Sequence, residues 1–213
     1  MNAWQVPDGS NGSEAGKVRL MHYDPRWRQE FQQTRSGILH GCLGLVDEVH
    51  HVGSTAISGI TARPVVDVIA IMDIGNLLRQ EAQQGVDPLS TPGMLMREAA
   101  TLIQGLNFRS VESGDHCFVD LQVSAPQPLA LVKPRHGSLT HAVYLCARGD
   151  DRAAGMLRIA DYFRAEREAA LEFDEQKTRW WRSADGDAML YSQWKAEFFD
   201  ALDRRLRDDL ETT

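Results

Sequence analysis

Three cysteines in 213 residues, Cys42, Cys117 and Cys146, make an odd set without metal-type spacing. They build neither a disulfide framework nor a thiolate zinc site, and read as reduced, mostly buried thiols of a cytoplasmic protein. Basic charge is scarce too: 23 Lys and Arg against 30 Asp and Glu leave a net charge of -7. General nucleic-acid binding relies on a basic surface and is not expected, whereas a small phosphorylated ligand needs only a local basic patch. No apolar run approaches membrane-spanning length, and the N-terminus has no basic-then-apolar signal pattern, so no membrane partner is expected. Internal repeats and low-complexity segments are also lacking.

What is present is a 43% hydrophobic chain, long enough for one well-buried domain. Residues 1–16 are rich in Gly, Ser, Asn and Asp without apolar periodicity and read as a loose tail, leaving 17–209 as a single domain. Asp24-Pro25 reads as a helix start, with Trp27, Phe31, Ile38 and Leu39 at near-helical spacing. Leu45 to Val52 and Pro64 to Met72 have the β-branched, apolar composition of strands buried on both faces. A loop over Gln83 to Gly93, a helix over Met94 to Leu106 and a strand over His116 to Val123 follow. The Pro-rich stretch Ser124 to Ser138 reads as a loop, Leu139 to Cys146 as a strand, and everything from Asp150 as helical, with a turn at Ser183 to Asp187. Such an order predicts an α+β fold: a small mixed β-sheet with packed helices and a helical C-terminal part.

The most informative segment runs from His51 to Ile69. An apolar strand enters Gly53-Ser54, small residues follow, and a second strand carries Asp67. Gly53 permits close backbone approach to a ligand, Ser54 and Thr55 offer hydroxyls and amides to phosphate oxygens, and Asp67 could hold a divalent cation against them. The alternative for Asp67 is a capping residue that hydrogen-bonds the turn. His50 and His51 precede the turn on opposite faces of the strand, so at most one faces the site.

Gly53-Ser54-Thr55, Gly59, Ala62-Arg63-Pro64 and Asp67 resemble the signature of the GrpB family, whose members have a nucleotidyltransferase-like fold. Tyr23-Asp24-Pro25, Trp27, Thr140-His141, Asp161-Tyr162-Phe163-Arg164, Lys177, Tyr191 and Lys195 match in order, extending the resemblance over residues 18–205. A related domain is fused to dephospho-coenzyme A kinases in some organisms. The resemblance implies a nucleotide or phosphorylated metabolite as partner and Mg²⁺ as a cofactor. It nominates His51, Gly53, Ser54, Thr55, Arg63, Arg158, Arg164, Lys177 and Lys195 for ligand binding, with Asp67 and His141 for chemistry, to which the reading of the later strand adds Asp120.

Two departures bear on activity. The wider superfamily typically places a second carboxylate two residues after the first, on the same face of the strand; here Ile69 follows Asp67. Asp120, four residues after His116 in a predicted strand, is the replacement metal ligand this sequence offers. Val143 stands where the family usually has a second histidine after His141, leaving His141 either a ligand or a satisfied core histidine. Arg158, Asp161 and Arg164 lie three apart and could equally form ion pairs along a helix. The aromatic cluster Trp180, Trp181, Tyr191 and Trp194 reads first as core between the last helices. Three functions stay open: a Mg²⁺-dependent nucleotidyl transferase, an inactive ligand-binding or scaffold protein of that fold, and a small-molecule transferase using histidine chemistry.

Overall fold

Asp24 begins the first helix. Its carboxylate accepts from the Arg26 backbone N–H at 2.9 Å, and α1 (Arg26–Gly41) then turns Trp27, Phe31, Thr34 and Ile38 inward. The computed structural model describes residues 19–83, 91–111, 129–136, 138–185 and 187–211. Among these, β1 (Glu48–Val52), β2 (Val66–Met72), β3 (Arg109–Ser110), β4 (Leu129–Lys133) and β5 (His141–Ala147) form a five-stranded sheet in the order β1-β2-β5-β4-β3. Only β2 and β5 run parallel, so the sheet is mixed, and every residue of β2 is buried. This explains its unbroken Val-Asp-Val-Ile-Ala-Ile-Met run, because a central strand covered on both faces has no solvent side to alternate toward.

Register divides the side chains between two layers. Val49, Val68, Ala70, Val143 and Leu145 face α1 and α3 (Pro92–Gln104) in the main core. Val52, Ile69, Ile71 and Cys146 face α4 (Asp151–Ala165) on the other side. Asp150 caps α4 by accepting from the Arg152 and Ala153 N–H groups, each at 3.0 Å. Beyond α4 lie α5 (Arg167–Ser183) and α6 (Ala188–Glu211), held by Phe163, Phe173 and Phe198 stacked at 4.9 and 5.1 Å between neighbouring centroids. The α+β class and helical C-terminal part thus stand as expected. No helix among the described residues is long and apolar enough to cross a membrane.

Some elements differ from expectation. Helix α2 (Ile74–Gln83) and the two-residue β3 carried no recognised signal, and β4 lies inside the stretch read as a loop. There Pro126 and Pro128 outweighed the short apolar run Leu129-Ala-Leu-Val, which becomes a strand by pairing with β5. Helix α3 starts two residues before Met94, because Thr91 caps it through Met94 N–H at 3.3 Å with Pro92 in its first turn. The strand expected over His116 to Val123, including Asp120, lies outside the described residues.

Candidate functional site

The site forms where β1 ends and β2 begins. Val52 stands opposite Asp67 in the register, and Gly53 then turns the chain over the Asp67 side chain. Gly53 adopts φ 71° and ψ -174°, a region open essentially to glycine alone. A Cβ there would lie 2.5 Å from Asp67 Oδ2. The glycine therefore makes room for the carboxylate of its own chain, in addition to any ligand.

Asp67 is 7% exposed, and its Oδ1 has no hydrogen-bond partner among the described residues. Burial raises its pKa, opposed by the charges of Lys195 and Arg63. These three groups line a cleft together with Ser54, Thr55, Tyr191 and Ser192. Burial in turn pushes Lys195 down to about 8, with Asp67 opposing the shift and Arg63 reinforcing it. Tyr191 is raised by burial and stays a neutral hydroxyl. No carboxylate among the described residues forms an ion pair with Arg63 or Lys195, so the cleft holds two cations against one carboxylate.

A second cleft shares Ser54, Asp67 and Lys195 with the first. Its other walls are mostly apolar, from Ile57, Met156, Ile159, Phe163, Phe173 and Phe199.

The GrpB protein family model matches residues 17–205. The chain belongs to the GrpB family. Among its relatives, UPF0157 protein SCO7215 of Streptomyces coelicolor is 42% identical over 64 residues, 30% of this chain and 34% of that protein. UPF0157 protein BH1888 of Halalkalibacterium halodurans is 33% identical over 68 residues, 32% of this chain and 35% of that protein. The matched region thus spans about a third of the length of these curated relatives. In fold, the chain resembles the crystal structure of conserved protein GrpB from Enterococcus faecalis, with a TM-score of 0.64 at 14% identity over 90% of this chain and 99% of that one.

Of the residues nominated from sequence, this GrpB chain gathers Gly53, Ser54, Thr55, Arg63, Asp67 and Lys195 around the two clefts. Several others have protein partners instead. Lys177 is 1% exposed and donates to the Thr61 carbonyl, with Asp174 Oδ1 at 3.3 Å and the Phe173 ring centroid at 4.7 Å. The same Asp174 oxygen accepts from Thr61 N at 2.8 Å and Thr61 Oγ1 at 2.5 Å, so the pair anchors the segment that leads to Arg63. Burial lowers Lys177 to about 7, against the pull of Asp174. Arg158 donates from Nε and a terminal nitrogen to Asp203 Oδ1 at 2.9 and 2.8 Å, tying α4 to α6 where Gly155 lets them approach. Arg164 bonds Asp161 at 2.8 Å and the His51 carbonyl, so it braces the end of β1. None of these three cations lines either cleft.

The pleat corrects the histidine assignments. His51 stands opposite Val68, and His141 opposite Val66, placing both on the α1 and α3 face while Asp67 points to the other. His51 acts at one remove: Thr55 Oγ1 donates to the Val65 carbonyl at 3.2 Å, which assigns the proton to His51 Nε2, 3.0 Å from that hydroxyl. Phe31 stacks on the ring at 4.7 Å, so His51 positions the Thr55 hydroxyl. His141 Nδ1 lies 2.9 Å from Thr140 Oγ1, its ring edge-on to Phe108, so it is a satisfied core histidine. Ile69 shares the face of Asp67 but packs among Ala153 and Ala160 of α4. No group of metal-holding residues occurs among the described ones, and Asp120 falls outside them.

Tyr191 and Ser192 were missed as lining residues. The signal was there: Tyr191 and Lys195 are four apart on α6 and so share one helix face.

Burial holds both His51 and His141 to about 4, below their ordinary 6.5. Between these values the unfolded chain binds protons that the folded chain does not, so the stability these two histidines allow is full above pH 6.5 and declines as pH falls toward 4. Urea unfolding across that window should show a loss of about 2 kcal/mol or more, reduced in His141→Phe. An unchanged pH slope in that variant would remove His141 as a source.

Proposed function

We propose that this GrpB-family chain binds a phosphorylated small molecule, nucleotides included, with its phosphate in the Ser54–Arg63–Lys195 cleft. The excess of cations over carboxylates there carries the reading, since Arg63 offers a planar fork and Lys195 a point charge to phosphate oxygens, with hydroxyls between them. His51 holds the Thr55 hydroxyl, and the Lys177–Asp174 pair holds the segment bearing Arg63.

The donor set admits Mg²⁺ in a limited way. Mg²⁺ commonly takes one or two carboxylates and completes its shell with substrate phosphates and water. The buried, unpartnered Oδ1 of Asp67 suits one such bond. Bound there, the ion would neutralise charge on a phosphate and favour transfer to an acceptor hydroxyl. Ile69 in the second carboxylate position favours a second reading, binding without turnover.

Isothermal titration with inorganic phosphate and ATP, with and without Mg²⁺, tests the site. Arg63→Met and Lys195→Met should each weaken binding by about tenfold or more, the loss of a charge-assisted contact. Wild-type affinity in both folded variants would overturn the phosphate assignment. Pyrophosphate release from ATP in the presence of Mg²⁺ would select transfer over binding alone.

A further inference from the structure

The two clefts meet at three residues, Ser54, Asp67 and Lys195, and differ sharply on either side of them. On one side stand Arg63 and the hydroxyls; on the other, Phe163, Phe173, Phe199, Met156 and Ile159. We infer that the ligand is an amphipathic phosphomonoester, with its phosphate among Arg63, Lys195 and Ser54 and an alkyl or aryl body in the apolar chamber. The inference rests on the phosphate reading above and narrows it.

One observation and two physical arguments carry it. Across the shared residues the lining changes from Arg63 and hydroxyl-bearing side chains to phenyl rings and aliphatic groups. An apolar cleft with a few convergent polar groups is the usual form of a small-molecule site. A nucleobase placed in that chamber would leave several ring nitrogens and exocyclic groups facing phenyl rings and methyls, and each buried polar group without a partner costs affinity. An alkyl chain or phenyl ring incurs no such cost and gains contact with the stacked Phe163 and Phe173 rings. The small side chain of Ala160 on α4, a wall of this chamber, helps keep it open.

Titrating the full chain with methyl, propyl, hexyl and phenyl phosphate, hexanol and AMP tests this on the wild-type protein itself. Affinity should climb by roughly threefold per added methylene until the chamber is filled. Hexyl and phenyl phosphate should both bind tighter than AMP. Ala160→Leu, which fills the chamber, should flatten the series while leaving methyl phosphate binding in place. A flat series on the wild-type chain, or AMP binding tighter than hexyl phosphate, would overturn the inference. The underlying phosphate reading fails by a different signature: methyl phosphate without affinity, and hexanol equal to hexyl phosphate.

Discussion

Gly53→Val destabilises the fold by about 3 kcal/mol and removes phosphate binding together with it. Two costs combine. The backbone at φ 71° and ψ -174° is strained for any residue with a Cβ, and that Cβ would sit 2.5 Å from Asp67 Oδ2 and 3.2 Å from the Asp67 Cβ and Cγ atoms. The side chain it meets belongs to a central, fully buried strand. Equilibrium unfolding in urea measures the loss, and a mutant cycle separates the causes. Gly53→Ala made in an Asp67→Ala background should recover the steric part and keep only the backbone part. A Gly53→Val chain with wild-type stability and lost affinity would instead assign the glycine to ligand approach alone, as the sequence by itself suggested.

The same glycine shows how far sequence reading reaches. A strand running into Gly-Ser, then Pro and a second strand with one carboxylate, places the turn and Asp67 correctly because each depends on local backbone chemistry. The family resemblance added Arg63 and Lys195, the latter some 130 residues away in the chain and unreachable by local argument. What failed was pairwise geometry. Arg158 and Lys177 carry no local mark that their partners are Asp203 and Asp174 instead of a phosphate; those partnerships exist only once α4, α5 and α6 pack. The histidines failed differently. Strand alternation was recognised for His50 and His51, but which parity belonged with Asp67 depended on the β1–β2 register, and the pairing of Val52 with Asp67 leaves His51 on the far face. Likewise β4 becomes a strand through the partner it finds in β5, against the turn signals of its own neighbours.

Asp67→Asn is the substitution that distinguishes the roles left to this carboxylate, because it changes charge and leaves shape almost intact. Asp67 has a folded pKa above its ordinary 3.8, so the fold binds its proton more readily than the unfolded chain does. Its ionisation therefore lowers stability as pH rises from 3.8 through the raised value. The Asn variant escapes it and should melt at a higher temperature than wild type at neutral pH, with the difference fading in acid. Binding should respond in two directions. In metal-free buffer, removing a negative charge beside Arg63 and Lys195 should tighten phosphate binding, since the anion no longer meets a buried carboxylate. With Mg²⁺ present, the loss of a charged oxygen ligand should weaken the binding of a metal-bridged phosphate by about tenfold or more. Titrations of both chains with ATP in EDTA and in Mg²⁺ read the two signs directly. Opposite signs assign Asp67 to the cation; tighter binding in both buffers makes the cleft a plain anion site that works without a divalent ion, and Asp67 the group that tunes Lys195.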